Sequence, residues 1–166
     1  MWRQTPLSGV IELDEYYFGP KPIPGVRGRG AGSKTIVFGI FKRNDNVNTE
    51  IVPDTSKASL VKVIRGHVSI ESVISADGWR GYNGLVYVGY SKHFRVRYGD
   101  NAFANGSRHL NGVESFWSYV KRRLVKFIDV SRKTFFLHLK EAEFRFNHLS
   151  KDLYRLLLRM LSNDPL

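Results

Sequence analysis

Three acidic residues stand at positions from which their carboxylates can meet at one point. Asp14 lies in an alternating apolar run, Asp77 ends a second apolar run, and Glu114 opens a helical pattern. Two aspartates on strands and one glutamate on a helix supply hard oxygen ligands, which Mg²⁺ and Mn²⁺ prefer. The sequence therefore predicts a site for divalent metal ions.

The charge of the chain indicates what such a site would act on. Lys and Arg number 26 among 166 residues, against 15 Asp and Glu, so the formal net charge is +11. This balance indicates a polyanionic partner, either nucleic acid or an acidic membrane surface. A merely well-solvated basic protein is the plainer alternative, but the clustering of the positive charges favours nucleic acid. The expected target of the metal site is then a phosphodiester.

The composition narrows the class of protein further. The chain has no cysteine, which excludes disulfides, zinc–thiolate sites and thiol nucleophiles. No apolar run approaches the ~18–20 residues of a membrane span, and the first residues lack the apolar core of a secretory signal. We therefore expect one domain over residues 1–166, cytoplasmic and associated with the nucleoid, without a membrane partner.

The hydrophobic periodicity predicts alternating strands followed by helices. Strands are predicted at 9–18, 35–41, 49–52, 71–76 and 91–98. Helices are predicted at 56–68, with Ser56 as N-cap, and at 111–127, 134–149 and 152–162. The first three strands should form an antiparallel meander, and the helix before strand four favours parallel pairing. A basic Gly/Pro-rich loop over 20–34 and a polar loop over 99–109 complete the chain.

This order, βββαβ(α)β with later helices, predicts an α/β protein with a mixed five-stranded sheet, flanking helices and a helical C-terminal segment. The candidate carboxylates fall on strand one, at the end of strand four and on a later helix. The arrangement resembles the ribonuclease H-like fold.

Each strand aspartate also has a plain structural explanation. Strand alternation puts Glu12, Asp14 and Tyr16 on one face, and this face could simply be exposed to solvent. Glu12 and Glu15 compete with Asp14 as candidate ligands. Asp77 precedes a glycine, and Asp-Gly after a strand is common turn chemistry. Catalytic residues are nevertheless frequent at the carboxyl ends of strands in open α/β sheets.

Glu114 also has a structural alternative. Asn111 and Glu114 match a capping box, in which Asn111 is the N-cap and Glu114 reaches back to its N–H. Lys121 follows Glu114 by seven residues, so two helical turns put both on one face, and Arg122 continues the basic run. A carboxylate at a metal with cations along the same face suits a phosphate backbone crossing the site.

Four segments together resemble the DDE transposases of bacterial insertion sequences, most closely the ISXO-like group. They read IELDEYYFG at 11–19, DGWRGY at 77–82, HLNGVESFWSYVKR at 109–122 and EFRFN at 143–147. The resemblance covers roughly residues 7–149. It implies metal-dependent hydrolysis of a DNA phosphodiester, followed by transfer of the freed 3′-hydroxyl to target DNA.

The resemblance also implies roles for individual residues. Asp14, Asp77 and Glu114 match the triad that holds two Mg²⁺ or Mn²⁺ ions, and Lys121 matches a lysine that contacts transposon-end DNA. Further basic residues are predicted to grip DNA backbone phosphates: Lys21, Arg27, Arg29, Lys34, Arg95, Arg97 and Arg122. The positions flanking the glutamate, His109 and Asn111, match supporting residues.

Two other functions stay open at the level of sequence. A metal-dependent nuclease or resolvase would use the same triad without strand transfer, and a domesticated DNA-binding protein would keep the fold without catalysis. Family members usually carry an amino-terminal DNA-recognition module, which the resemblance does not find here, so we expect an isolated catalytic domain. Its partners would be transposon-end and target DNA, with a second copy of the chain as a further candidate.

Overall fold

The computed structural model describes residues 6–19, 34–77, 89–90, 92–96, 111–124 and 131–163, and gives only the backbone of Asp77, Arg132 and residues 92–96. The strands are β1 (Val10–Phe18), β2 (Thr35–Lys42), β3 (Val47–Val52), β4 (Val73–Asp77) and β5 (Lys92–Val96). The helices are α1 (Lys57–His67), α2 (Asn111–Leu124), α3 (Arg132–Asn147) and α4 (Leu153–Asn163). Most of both predicted loops, residues 20–33 and 99–109, lies outside this description.

The strands form one mixed sheet in the order β3-β2-β1-β4-β5. β2 is antiparallel to both β1 and β3, which confirms the predicted meander. β4 runs parallel to β1 and to β5. The crossover through α1 therefore brings β4 to β1 rather than to β3, and the predicted mixed α/β architecture is confirmed.

Helices cover both faces of the sheet, because β2 is apolar on both faces, whereas β1 has one mainly apolar face and one polar and aromatic face. On one face, Ile11 and Leu13 of β1 pack with Leu60 and Ile64 of α1 in one buried cluster. On the other face, a second cluster joins the sheet to α2 and α3. Glu12, Asp14 and Tyr16 belong to this second face. The face of β1 predicted to carry Asp14 is therefore the one covered by α2, the helix that carries Glu114.

Side chains of α3 cover the free edge of β3. Asn147 accepts from the N–H of Val47 at 2.8 Å and donates to its carbonyl at 2.9 Å. Glu143 accepts from the N–H of Thr49 at 2.7 Å, and Lys140 donates to the Thr49 carbonyl at 2.7 Å. β3 begins at Val47, two residues before the predicted start, because Val47 pairs with Phe41 of β2 on one side while Asn147 binds its other edge.

The helix boundaries reflect local capping. Ser56 caps α1 as predicted, since its hydroxyl accepts from the N–H of Ser59. α3 begins at Arg132, two residues earlier than predicted, because the hydroxyl of Ser131 accepts from the N–H of Thr134. The predicted end of α2 at residue 127 lies outside the described residues.

The C-terminal helix α4 has no buried side chain. Its exposed apolar residues include Leu157, Leu158, Met160 and Leu161. Among the described helices, none is long and apolar enough to cross a membrane.

An ion pair joins the end of α1 to β3, with His67 Nε2 3.5 Å from Glu50 Oε1. The hydrogen bond with Glu50 raises the pKa of His67 above 6.5, although burial and Lys140 oppose this, and the same bond lowers the pKa of Glu50 below 4.5. Protonated His67 therefore stabilises the fold fully below pH 6.5, and this contribution is lost as pH rises through its raised pKa. Ionised Glu50 stabilises above pH 4.5, and its contribution is lost as pH falls through its lowered pKa. The pair contributes most between these limits.

Candidate carboxylate site

The first turn of α2 is held by a carboxylate from β1. Glu12 is 1% exposed. Its Oε2 accepts from the backbone N–H of Gly112 at 2.9 Å and of Val113 at 3.1 Å. Its Oε1 accepts from Arg43 Nε at 3.0 Å and Nη2 at 2.9 Å. A negative charge at a helix N-terminus is favourable, because it satisfies free N–H groups and complements the helix dipole.

Asp14 contacts the middle of α2. The indole Nε1 of Trp117 donates to Asp14 Oδ2 at 3.0 Å, which orients the half-buried carboxylate. The indole lies directly over Gly39, the β2 partner of Asp14, where an added Cβ would come within 2.6 Å of the ring. Glycine at this strand position therefore allows α2 to approach closely enough for the hydrogen bond.

Lys121 lies over the next residue of the same β1 face. Its ammonium is 4.2 Å from the centroid of the Tyr16 ring, and that ring also stacks on Trp117 at 5.7 Å between centroids. A cation over an aromatic face is attracted by the ring quadrupole. The exposed Lys121 ammonium is thus held on the side of α2 that faces β1.

These contacts show that α2 runs alongside β1 in the same direction. Four strand steps, from Glu12 to Tyr16, span about 13 Å. Eight helix steps, from Val113 to Lys121, span about 12 Å. The two lengths agree, so successive residues on one face of β1 meet successive turns of α2.

Asp77 is the last residue of β4, and its backbone position is defined by the register of the sheet. Leu13 pairs with Ala76 in the parallel β1–β4 ladder, so Asp14 and Asp77 each follow one member of that pair. Neighbouring strands lie about 4.8 Å apart. The two aspartates therefore occupy adjacent backbone positions at the same level of the sheet.

Glu114 lies in the first turn of α2, next to the Val113 N–H that donates to Glu12. Its side chain is exposed, whereas Val113 and Trp117 on the same helix are buried. Within the described side chains there is no group of three that could hold a metal ion. The side chain of Asp77 lies outside that set, so the predicted triad stays a prediction.

The remaining predicted residues are located only in part. Lys34 and Arg122 are exposed, as is Asn111, the first residue of α2. The residues that fall outside the description are Lys21, Arg27, Arg29, Arg97 and His109, and only the backbone of Arg95 is described. The alternative of a capping box between Asn111 and Glu114 stays a prediction, because the N–H groups that donate to Glu12 are those of Gly112 and Val113.

Sequence reasoning missed three residues of this site. The sequence presents Glu12 only as a competitor of Asp14, and it predicts no role for Trp117 or Tyr16. One signal was available: the alternation of β1 puts Glu12, Asp14 and Tyr16 on one face. A polar and aromatic face opposite an amphipathic helix indicates specific contacts between the two elements.

Comparison with known proteins gives a family for the whole arrangement. The ISXO2-like transposase domain matches residues 6–147, which include β1, β4 and α2. A protein of Haemophilus influenzae (strain Rd), an uncharacterized transposase-like protein, is 37% identical over 102 residues, covering 61% of this chain and 81% of that protein. No solved structure matches the chain. The chain therefore belongs to the ISXO2-like transposase family.

Proposed function

We propose that this chain is a DDE transposase catalytic domain with a ribonuclease H-like fold. It would hydrolyse a DNA phosphodiester with the help of Mg²⁺ or Mn²⁺ and then join the freed 3′-hydroxyl to target DNA. Family membership and the mixed sheet order β3-β2-β1-β4-β5 both support this proposal.

The observation that carries the proposal is the register of β1 against β4. Asp14 and Asp77 are adjacent in two parallel strands, one residue beyond the Leu13–Ala76 pair. In a parallel ladder, residues at one level direct their side chains to the same face. We therefore propose that the Asp77 carboxylate joins Asp14 on the face covered by α2.

The helical position of Glu114 supports its role as the third carboxylate. Seven residues rotate a helix by about 700°, so Glu114 lies only about 20° from Lys121 around α2. Lys121 contacts Tyr16 of β1, so the same stripe of α2 faces β1. Glu114 is about 10 Å from Lys121 along the helix axis, a distance equal to about three strand residues. Counted back from Tyr16, this level lies next to Asp14.

The donor set fits a divalent metal site. Asp14 is half-buried and oriented by Trp117, while Glu114 is exposed at the start of α2. Three carboxylates at one point would repel each other without a cation, and hard oxygen ligands select Mg²⁺ or Mn²⁺. Two such ions supply electrostatic stabilisation of the attacking and leaving oxygens in an in-line phosphodiester displacement.

Basic residues next to this site would hold the DNA. Lys121 and Arg122 are exposed on α2, two turns beyond Glu114. The ammonium of Lys121 contacts the Tyr16 ring on one side and is available to a phosphate on its solvent side. Lysine lacks the planar fork that reads a base edge, so its role would be to position the backbone.

The test is a set of charge-neutral variants of the triad, each matched in size. Asp14→Asn, Asp77→Asn and Glu114→Gln should abolish Mn²⁺-dependent nicking of supercoiled DNA and leave DNA binding intact or improved. Glu15→Gln is the matched control, because Glu15 lies on the opposite face of β1. Equal nicking by the wild-type chain and a triad variant would contradict the assignment.

The products distinguish the proposed reaction from its nearest alternative. A pre-cut duplex with a free 3′-hydroxyl, carrying sequence that flanks the gene, should become joined to target plasmid by the wild-type chain. Cutting without joining would instead favour a nuclease or resolvase. DNA binding without either reaction would favour a non-catalytic DNA-binding protein.

A further inference from the structure

We propose that Glu12 is a positioning residue for the carboxylate site: it fixes the first turn of α2, and with it Glu114, against β1 beside Asp14. The inference rests on the proposed function, and it adds a fourth acidic residue that acts through another residue and not on the metal.

The contacts of Glu12 are those of an anchor. The carboxylate is almost fully buried, and four N–H donors from Arg43, Gly112 and Val113 divide evenly between its two oxygens. A buried carboxylate is tolerated only when its charge is compensated in this way. The charge of Glu12 is compensated only when the first turn of α2 lies against β1, because the two backbone donors belong to that turn.

The anchor acts at the peptide next to Glu114. The N–H of Val113 donates to Glu12, and Glu114 follows directly in the chain. A slip of α2 by one residue would move this turn about 1.5 Å and rotate it about 100°. Such a slip would turn Glu114 away from β1, and it would put a residue with a Cβ in the place beside Phe41 that Gly112 occupies. Glu12 therefore holds the first turn of α2 against β1, and Gly112 fixes the register in which Glu114 faces Asp14.

The shape of the packing supports the same register. An added Cβ at Gly112 would come within 2.0 Å of the Phe41 ring, and Phe41 is 9% exposed and belongs to the core. Glycine at this position lets the first turn of α2 lie close enough to β1 for Glu12 to reach its N–H groups. A direct role of Glu12 as a metal ligand is less suited to the geometry, because both of its oxygens already accept from nitrogen donors.

Glu143 provides a matched control for this role. Like Glu12, it accepts from a backbone N–H, that of Thr49, and from a cation, Lys140. Its side chain is 13% exposed. It fastens α3 to β3, however, and does not contact α2 in any of its described hydrogen bonds. Loss of either anchor should destabilise the protein, but only loss of Glu12 should disturb the carboxylate site.

The experiment measures Mn²⁺ binding by electron paramagnetic resonance of the free ion, together with the melting temperature, on the full chain. Glu12→Gln and Glu143→Gln should both lower the melting temperature. Glu12→Gln should also weaken Mn²⁺ binding by about tenfold, the lower end of the loss found for residues that orient metal ligands, while Glu143→Gln leaves it unchanged. In a Glu114→Gln background, Glu12→Gln should weaken Mn²⁺ binding little further, because Glu12 acts on the metal site only through Glu114.

Several outcomes would overturn the inference. Unchanged Mn²⁺ affinity in Glu12→Gln, or an equal loss in Glu12→Gln and Glu143→Gln, would leave Glu12 with a structural role only. A full additional loss in the Glu114→Gln background would make Glu12 a ligand in its own right.

If Glu12→Gln does not fold, Arg43→Lys provides the test. It keeps the positive charge and loses the two-nitrogen contact, so it should also weaken Mn²⁺ binding, and an unchanged affinity contradicts the inference. A wild-type chain that binds no Mn²⁺ contradicts the proposed function and the inference together.

Discussion

Replacement of Lys121 by alanine should weaken DNA binding and make it less dependent on salt, while the melting temperature falls by only a few degrees. In the folded chain the Lys121 ammonium is 4.2 Å from the Tyr16 ring centroid, and the side chain is exposed. An exposed cation–π contact contributes about 0.5–1 kcal/mol. In a domain of this size, that loss lowers the melting temperature by about 1–4 °C.

The expected effect on DNA follows from one lost phosphate contact. The slope of log K against log salt should become less steep by about 0.9. Between about 50 and 200 mM salt, the affinity difference from the wild-type chain should therefore shrink about 3.5-fold. Fluorescence anisotropy with a duplex of arbitrary sequence, titrated at several salt concentrations, measures this slope directly.

Lys62→Ala is the matched control for Lys121→Ala. Lys62 is an exposed lysine inside α1, which packs on the opposite face of the sheet. Its loss removes the same charge and should leave the slope unchanged. The reasoning would be refuted if both variants changed the slope equally. It would also fail if Lys121→Ala lost many degrees of stability with normal DNA affinity, because Lys121 would then be a structural partner of Tyr16.

Three further variants test the packing and the ion pair. Gly39→Ala should lower stability to urea by about 1–3 kcal/mol, because the new Cβ overpacks against the α2 indole, whereas Gly66→Ala, with open space around its Cβ, should be neutral or stabilising. Asn147→Ala uncovers the edge of β3, so it should lower the melting temperature and increase association at high concentration, measured by light scattering. Glu50→Gln removes the partner of His67, so it should cost about 0.5 kcal/mol near pH 5.5 and less near pH 9, where the wild-type His67 has lost its proton. A loss of equal size at both pH values would contradict the ion pair.

The features that sequence predicted are those set by neighbouring residues. Alternation over β1 assigned Glu12, Asp14 and Tyr16 to one face, and this depends only on the period of a strand. The N-cap at Ser56 depends on an N–H three residues away. The order of strands and helices, and with it the mixed α/β class, follows from the same local periods.

The features that sequence did not predict depend on residues far apart in the chain. Glu12 contacts the first turn of α2 across 100 positions, and its partner could not be identified before α2 was docked. The first residue of β3 is bound by Asn147, which is also 100 positions away. Local propensity contains no information about either contact. The sequence predicts no role for Gly39 for the same reason, because the ring that packs on it belongs to Trp117, which is distant in the chain.

The alignment of β1 with α2 explains why these distant contacts concentrate in one place. Strand residues on one face repeat about every 6.6 Å, and a helix turn repeats about every 5.4 Å, so the two elements match only over a short length. Glu12 holds one end of that length, Trp117 meets Asp14 in the middle, and Lys121 lies over Tyr16 at the other end. Because Glu114 lies within the anchored turn, its distance from Asp14 is set by contacts on both sides of it. A single insertion in α2 between Val113 and Trp117 would therefore separate the Glu12 anchor from the Asp14 contact, even though every residue of the site remained in the chain.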